Sequence, residues 1–263
     1  MHSSSTSLRI LARTCVLGLL LAIAAQACGK TRAECEQQFK VERGQSGKDV
    51  VWIPTNDELV VRMLQMASVT PADRVYDLGA GDGKIAITAA KRFGAKAVGI
   101  EYDEGLAKLG ACFAEAEGVA DRVRIVRGDI FEADFSNATV VTLYLLPELN
   151  LRLRPTLLKM PPGTRVVSHS FLMDDWQPDE RSMTEDGQAF LWIVPADVAG
   201  SWVFRQRSGK DTFPVKLQQS FQHIEGTAGS DGDTVMQARL HGAQINLDRK
   251  STRLNSSHPY RSR

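Results

Sequence analysis

Two acids and a glycine-rich turn carry the most legible chemistry in this chain. Val75-Tyr76-Asp77-Leu78 is a strand-like run that holds one acid, and Gly79-Ala80-Gly81-Asp82-Gly83 follows it directly. A helical pattern begins at once with Lys84-Ile85-Ala86-Ile87. Glycine at alternate positions lets backbone approach a ligand closely and tolerates positive φ. The helix that follows turns its unpaired N–H groups toward the same place. Twenty residues beyond Gly81, the apolar run Ala97-Val98-Gly99-Ile100 ends in Glu101. An acid there can accept hydrogen bonds from both hydroxyls of a ribose. The arrangement predicts a nucleoside site. A dinucleotide fingerprint needs a third glycine where Lys84 stands, which disfavours a nicotinamide-dependent oxidoreductase. The competing reading is a glycine turn with no ligand. The order strand, turn, helix, strand, acid weighs against it.

The elements that must position these residues alternate regularly. Residues 28–50 are polar and glycine-containing and read as a linker. Thr55-Asn56-Asp57-Glu58 has the form of a capping box, opening a helix with Leu59, Met63, Met66 and Ala67 on one face. Strands are expected at 74–78, 96–101, 122–127, 138–143 and 164–168, with helices at 83–93, 104–117 and 147–160. Strands separated by such helices predict a mostly parallel α/β sheet with right-handed crossovers. Loop ends 77–83, 101, 129 and 144–148 then share one rim. Beyond residue 185 the helical pattern stops. Strands are expected at 190–194, 202–204, 213–221, 234–240 and 243–247, with Gly226, Gly229, Gly232 and Gly242 in turns. The first one or two complete the main sheet, and the rest form a small antiparallel β-module.

The predicted organisation is a leader at 1–27, the linker at 28–50, a main domain at 51–195, a truncated β-rich module at 196–247 and a tail at 248–263. Arg9 and Arg13, an apolar core from Cys15 to Ala25, and Ala25-Gln26-Ala27 have the form of a secretory signal. Lipidation at Cys28 and an uncleaved N-terminal anchor with membrane association are the other options. Asp248 to His258 looks like the in-frame translation of a sequencing adapter, so 248–263 is set aside from the fold. The tail holds five basic residues and one acidic, and the leader holds two arginines, so the formal +1 of the whole becomes −5 for residues 28–247. An acidic chain gives no electrostatic case for nucleic-acid binding. Cys28 and Cys35 could pair in an oxidising compartment. Cys112 reads as a small buried apolar residue. No cysteine or histidine spacing points to a metal.

Several motifs occur in order: Trp52-Ile53-Pro54-Thr55, Asp77 to Gly83, Gly99-Ile100-Glu101, Gly128-Asp129-Ile130-Phe131, Leu143-Tyr144-Leu145-Leu146-Pro147 and Gly163 to His169. Over about residues 50–195 the chain resembles the class I S-adenosylmethionine methyltransferases. Within them it is similar to the bacterial relatives of the ATP-synthase c-subunit lysine methyltransferase group. The resemblance implies a Rossmann-like doubly wound fold with S-adenosylmethionine as cofactor. It implies that Asp77, Gly79, Gly81 and Gly83 form the loop at the methionine and ribose end, and that Glu101 takes the ribose hydroxyls. Tyr102 is then expected beside the adenine, Asp129 and Ile130 at the adenine edge, and Thr55 at the carboxylate end. For Asp129, a turn acid after glycine is the alternative.

Methyl transfer is an in-line displacement, so holding nucleophile and methyl in line supplies much of the catalysis. An amine nucleophile must also be neutral. Tyr144 stands where this superfamily places its substrate-facing motif, although Leu145-Leu146-Pro147 departs from the N-P-P-Y form. A half-buried aromatic at a strand end is the other reading. Glu148 is either a general base or a first-turn acid favoured by the helix dipole. Asn150 and His169 read as structural. Asp174, Asp175 and Trp176 belong either to a lid or to a polar loop. The expected function is methyl transfer from S-adenosylmethionine to a protein lysine. A small-molecule acceptor and a non-catalytic nucleoside-binding envelope module are the alternatives. The leader predicts export or membrane anchoring, the cofactor a cytoplasmic site, which would follow if the start is misassigned.

Overall fold

The computed structural model describes residues 29–45, 47–205, 212–228 and 234–247; the expected leader, Cys28 and the 248–263 tail lie outside these. Helix α1 (Arg32–Gln38) is closed by a capping box between Thr31 and Glu34. It forms inside the stretch expected as a linker. Helix α2 (Asp57–Met66) is capped by Asn56, whose side chain accepts from the Glu58 N–H. The cap therefore falls one residue after Thr55, which leaves the Thr55 hydroxyl for another partner. Strand β1 (Arg74–Leu78), α3 (Lys84–Phe93), β2 (Lys96–Glu101), α4 (Glu104–Ala116) and β3 (Val123–Arg127) follow. Then come β4 (Val140–Leu143), α5 (Pro147–Leu157) and β5 (Arg165–His169). Helix α5 starts with proline in its first turn, where a missing N–H costs nothing.

The main sheet has the order β3-β2-β1-β4-β5, followed by β7 (Gly187–Ile193) and β6 (Glu180–Thr184). Its first five strands pair in parallel, as the alternation predicts. Strand β7 joins β5 antiparallel, and β6 pairs with β7 as a hairpin. Strand β6 escaped the sequence reading because Glu180-Arg181-Ser182-Met183-Thr184 shows no apolar alternation. A second sheet is antiparallel, each strand lying beside its neighbours in sequence. It holds β8 (Gly200–Arg205), β9 (Thr212–Ser220), β10 (His223–Ala228), β11 (Thr234–His241) and β12 (Gln244–Leu247). Residues 202–204 thus belong to this sheet and not to the main one. Gly226 lies inside β10, not in a turn: Ile224, Gly226 and Ala228 are buried and the residues between them exposed. Gly242 does turn the chain, at φ 60°.

One apolar cluster joins α2, α3, α4 and one sheet face through Leu59, Met63, Ala86 and Phe113. A second packs around Leu143, Leu153, Trp176 and Trp192, and a third, with Val215, Leu217, Ile224 and Leu240, lies in the antiparallel sheet. Two sequence expectations are corrected here. Cys35 does not pair with Cys28: the buried side of α1 places it 5.8 Å from Cys112, Cα to Cα, and these two form a disulfide across 77 residues. Cys112 is therefore a cross-link as well as a buried residue. Trp176 is no lid: it is fully buried, donates Nε1–H to Gln222 Oε1 at 3.1 Å and stacks on Phe221. Its role is to seat the second sheet against the first. Asp175 pairs with Arg154 at the surface.

Candidate active site

The C-terminal rim of the parallel strands opens into a cavity of about 550 Å³, within the usual range for small-molecule sites. Asp77 reaches it from β1, Glu101 from β2, Asp129 and Ile130 from the turn after β3, and Tyr144 from the end of β4. Residues 47–55 cross its mouth as a strap. Thr55, Gly79, Gly81 and Tyr102 also line it. Gly83 does not. It starts α3 at φ 76°, and a Cβ there would lie 2.9 Å from Ile125 Cδ1. Its expected place on the cofactor is corrected to one of backbone packing.

Gly79 and Gly81 sit at φ 79° and 56°, which an L side chain reaches only under strain. A Cβ on Gly79 would come within 2.8 Å of Leu145 Cδ2, and one on Gly81 within 2.8 Å of Trp52 Cδ1. The loop is thus pressed between the strap and the β4 end. Glu101 is anchored by two amides: Gly81 N–H donates to Oε2 at 2.7 Å and Asp103 N–H to Oε1 at 2.8 Å. Each oxygen keeps a second lone pair for an incoming hydroxyl. Burial raises the Glu101 pKa. Asp77 is still more buried. Desolvation pushes its carboxyl up to about 7, with the bond from Thr142 Oγ1 opposing and Glu101 and Asp82 adding.

The strap is held by cations. Lys48 Nζ meets Asp129 Oδ2 at 2.6 Å and lies 4.9 Å from the Tyr102 ring centroid. Lys84 Nζ donates to the Thr55 carbonyl at 3.0 Å and pairs with Asp57 at 2.9 Å. Asp129 therefore has one oxygen on Lys48 and the other accepting from its own turn, at Phe131 N–H. The Lys48 hydrogen bond and that amide hold its pKa down. Tyr102 is half exposed.

On the other side of the cavity stand Tyr144, Leu145, Leu146, Leu149 and Phe171. The Tyr144 ring stacks on His169 at 3.8 Å and on Phe171 at 6.4 Å between centroids. Glu148 is exposed on the first turn of α5 and does not line the cavity, which leaves it as a first-turn acid in this geometry. Asn150 is fully buried and its Nδ2 donates to Ser168 Oγ and the Phe171 carbonyl, a structural position as expected.

The profile of the ANTKMT methyltransferase domain matches residues 77–180, from the first acid of the loop to the start of β6. A protein-lysine N-methyltransferase of Saccharolobus islandicus is 49% identical over 151 residues, which cover 55% of this chain and 94% of that protein. The chain belongs to the methyltransferase family of that protein. The ATP synthase c-subunit lysine N-methyltransferase of Homo sapiens is 29% identical over 166 residues, 63% of this chain and 66% of that enzyme. A crystal structure of an RNA methyltransferase from Salinibacter ruber, in complex with S-adenosyl-L-homocysteine, superposes with a TM-score of 0.55 at 49% identity. It covers 56% of this chain and 96% of that one.

The methyltransferase is dependent on S-adenosylmethionine, and its cavity fits that group chemically. The Glu101 carboxylate, fixed by two amides with lone pairs to spare, suits a ribose diol. The buried Asp77, raised by desolvation and by the nearby Glu101 and Asp82 carboxyls, suits a positively charged ligand end. Sequence reasoning missed Lys48, Lys84 as a strap clamp, and Phe171. Lys48 lay in an apparent linker and meets Asp129 across 81 residues, so no local pattern announces it. Lys84 was legible only as an absent glycine.

Proposed function

We propose that this methyltransferase N-methylates the side-chain amine of a lysine in a protein. The observation that carries the reading is the 49% identity to the Saccharolobus islandicus protein-lysine N-methyltransferase across 94% of that protein. When bound, the cofactor supplies an electrophilic methyl on a sulfonium. The chain's own residues do the rest. Gly79 and Gly81 bring the backbone close, Glu101 receives the ribose, and Asp77 receives the amino end. Ile130 and Tyr102 flank the base, with Asp129 held at its edge by Lys48. Tyr144 and Phe171 offer aromatic surface to an arriving ammonium, which such faces attract. Leu145, Leu146 and Leu149 keep that side apolar. Burial against them lowers an amine's pKa, so the nucleophile can give up its proton before attack. An in-line approach then needs positioning more than a dedicated base.

The charge of residues 28–247 weighs against RNA, the acceptor class in the name of the Salinibacter ruber relative. The relatives give no ground for a small-molecule acceptor or a non-catalytic module. We read the compartment as the cell envelope, on the leader-like residues 1–27 and on a disulfide of the kind oxidising compartments preserve. Cell fractionation tests it. The acceptor is tested by incubating the protein with methyl-labelled S-adenosylmethionine and three acceptors: lysine-bearing protein, the same protein with its lysines blocked, and RNA. Label is expected in the unblocked protein alone. Label in RNA alone, or in blocked and unblocked protein equally, overturns the reading.

A further inference from the structure

Three segments far apart in sequence meet at one imidazole. His169 ends β5 with 6% of its surface exposed, and it does not line the cavity. Its Nδ1 shares a hydrogen bond with Thr55 Oγ1 at 3.1 Å. Its ring covers the Tyr144 ring at 3.8 Å between centroids, the planes 27° apart. Gly187 makes room behind it: at φ 140° its missing Cβ would lie 3.2 Å from both His169 Nε2 and Leu59 Cδ2. Thr55 and Tyr144 do line the cavity, one on the strap and one at the β4 end. The Thr55 hydroxyl is available because Asn56 caps α2 in its place.

We propose that His169 is a positioning residue that braces Tyr144 against Thr55, setting the acceptor wall in register with the strap. This rests on the lysine-methyltransferase reading, since it gives Tyr144 the acceptor side. Burial holds the imidazole pKa down to about 4, so the ring stays uncharged at neutral pH and can stack without demanding a counter-ion. Thr55 is also held by Lys84 Nζ, which donates to its carbonyl. The brace therefore spans from the first turn of α3 to Tyr144 through two hydrogen bonds and one ring stack.

Two substitutions separate the contacts. His169→Phe keeps a ring on Tyr144 and loses the Thr55 bond. His169→Asn keeps a polar partner for Thr55 and loses the ring face. Both are expected to lower kcat roughly 10- to 100-fold, the usual cost of a misplaced reacting group, while the cofactor KM moves less than about threefold. A second readout needs no acceptor. With 3-fluorotyrosine incorporated and its Tyr144 signal assigned by Tyr144→Phe, S-adenosylhomocysteine should shift that signal in the wild type. In both variants the shift should shrink although the ligand still binds. Wild-type kcat in either folded variant, or an unaltered fluorine shift in both, overturns the brace. A wild-type protein that methylates no lysine yet shows the His169-dependent shift would instead sink the acceptor assignment and leave the brace standing.

Discussion

Asp77 carries the sharpest consequence at the scale of single residues. Its folded pKa lies near 7 against an ordinary 3.8, raised first by burial. Between those values the unfolded chain has given up the proton and the folded chain has kept it. Stability contributed by this group therefore falls as pH rises from about 4 to about 7, then levels. A cationic ligand end reverses the preference by favouring the carboxylate. Affinity for S-adenosylmethionine should rise with pH through about 7, by up to about tenfold per unit below it, and Asp77→Asn should remove the slope. Calorimetric titration from about pH 6 to 8 checks this; a flat wild-type profile contradicts it. Asp77 and Glu101 were legible because a turn leaves an acid little choice of neighbour: the glycines fix the backbone and the strand ends fix the side chains. His169 was legible only as structural, since both its partners come from elsewhere in the chain.

Among elements, the glycine loop and the strap depend on each other. Gly81→Ala adds a Cβ at φ 56° and drives it into the Trp52 indole. The backbone part alone should cost about 1–3 kcal/mol. The added collision should be relieved in the Gly81→Ala, Trp52→Ala double variant, leaving only the backbone part relative to Trp52→Ala. Urea midpoints report both, and a Gly81→Ala protein as stable as the wild type would contradict the packing. The loop and its helix were readable because glycine spacing is a local signal. The strap was not: polarity made 28–50 look like a linker, and its fixing contacts, Lys48 to Asp129 and Lys84 to Thr55, are long-range. The same holds for β6 and β10. One offers a single apolar residue, Met183, and the other hides a strand glycine behind the usual signature of a turn.

At the scale of the molecule, the main parallel sheet followed from the alternation of elements, and the second sheet from its loss. What the sequence could not reveal was the join between α1 and α4. Reduction, or the paired Cys35→Ala and Cys112→Ala change, should lower stability by about 3–5 kcal/mol for a loop of this length. A urea midpoint unchanged by reductant would count against the cross-link. The apolar clusters remain, so the reduced chain should still fold. The site itself stands or falls on whether the rim holds the cofactor through Glu101. The deciding measurement is a titration of the wild type and Glu101→Ala with S-adenosylhomocysteine. Saturable one-to-one binding by the wild type is expected, weakened about 10- to 100-fold in the variant by the loss of roughly 1–3 kcal/mol of buried charged acceptor. No binding heat from the wild type, or the same dissociation constant for both proteins, would contradict the account.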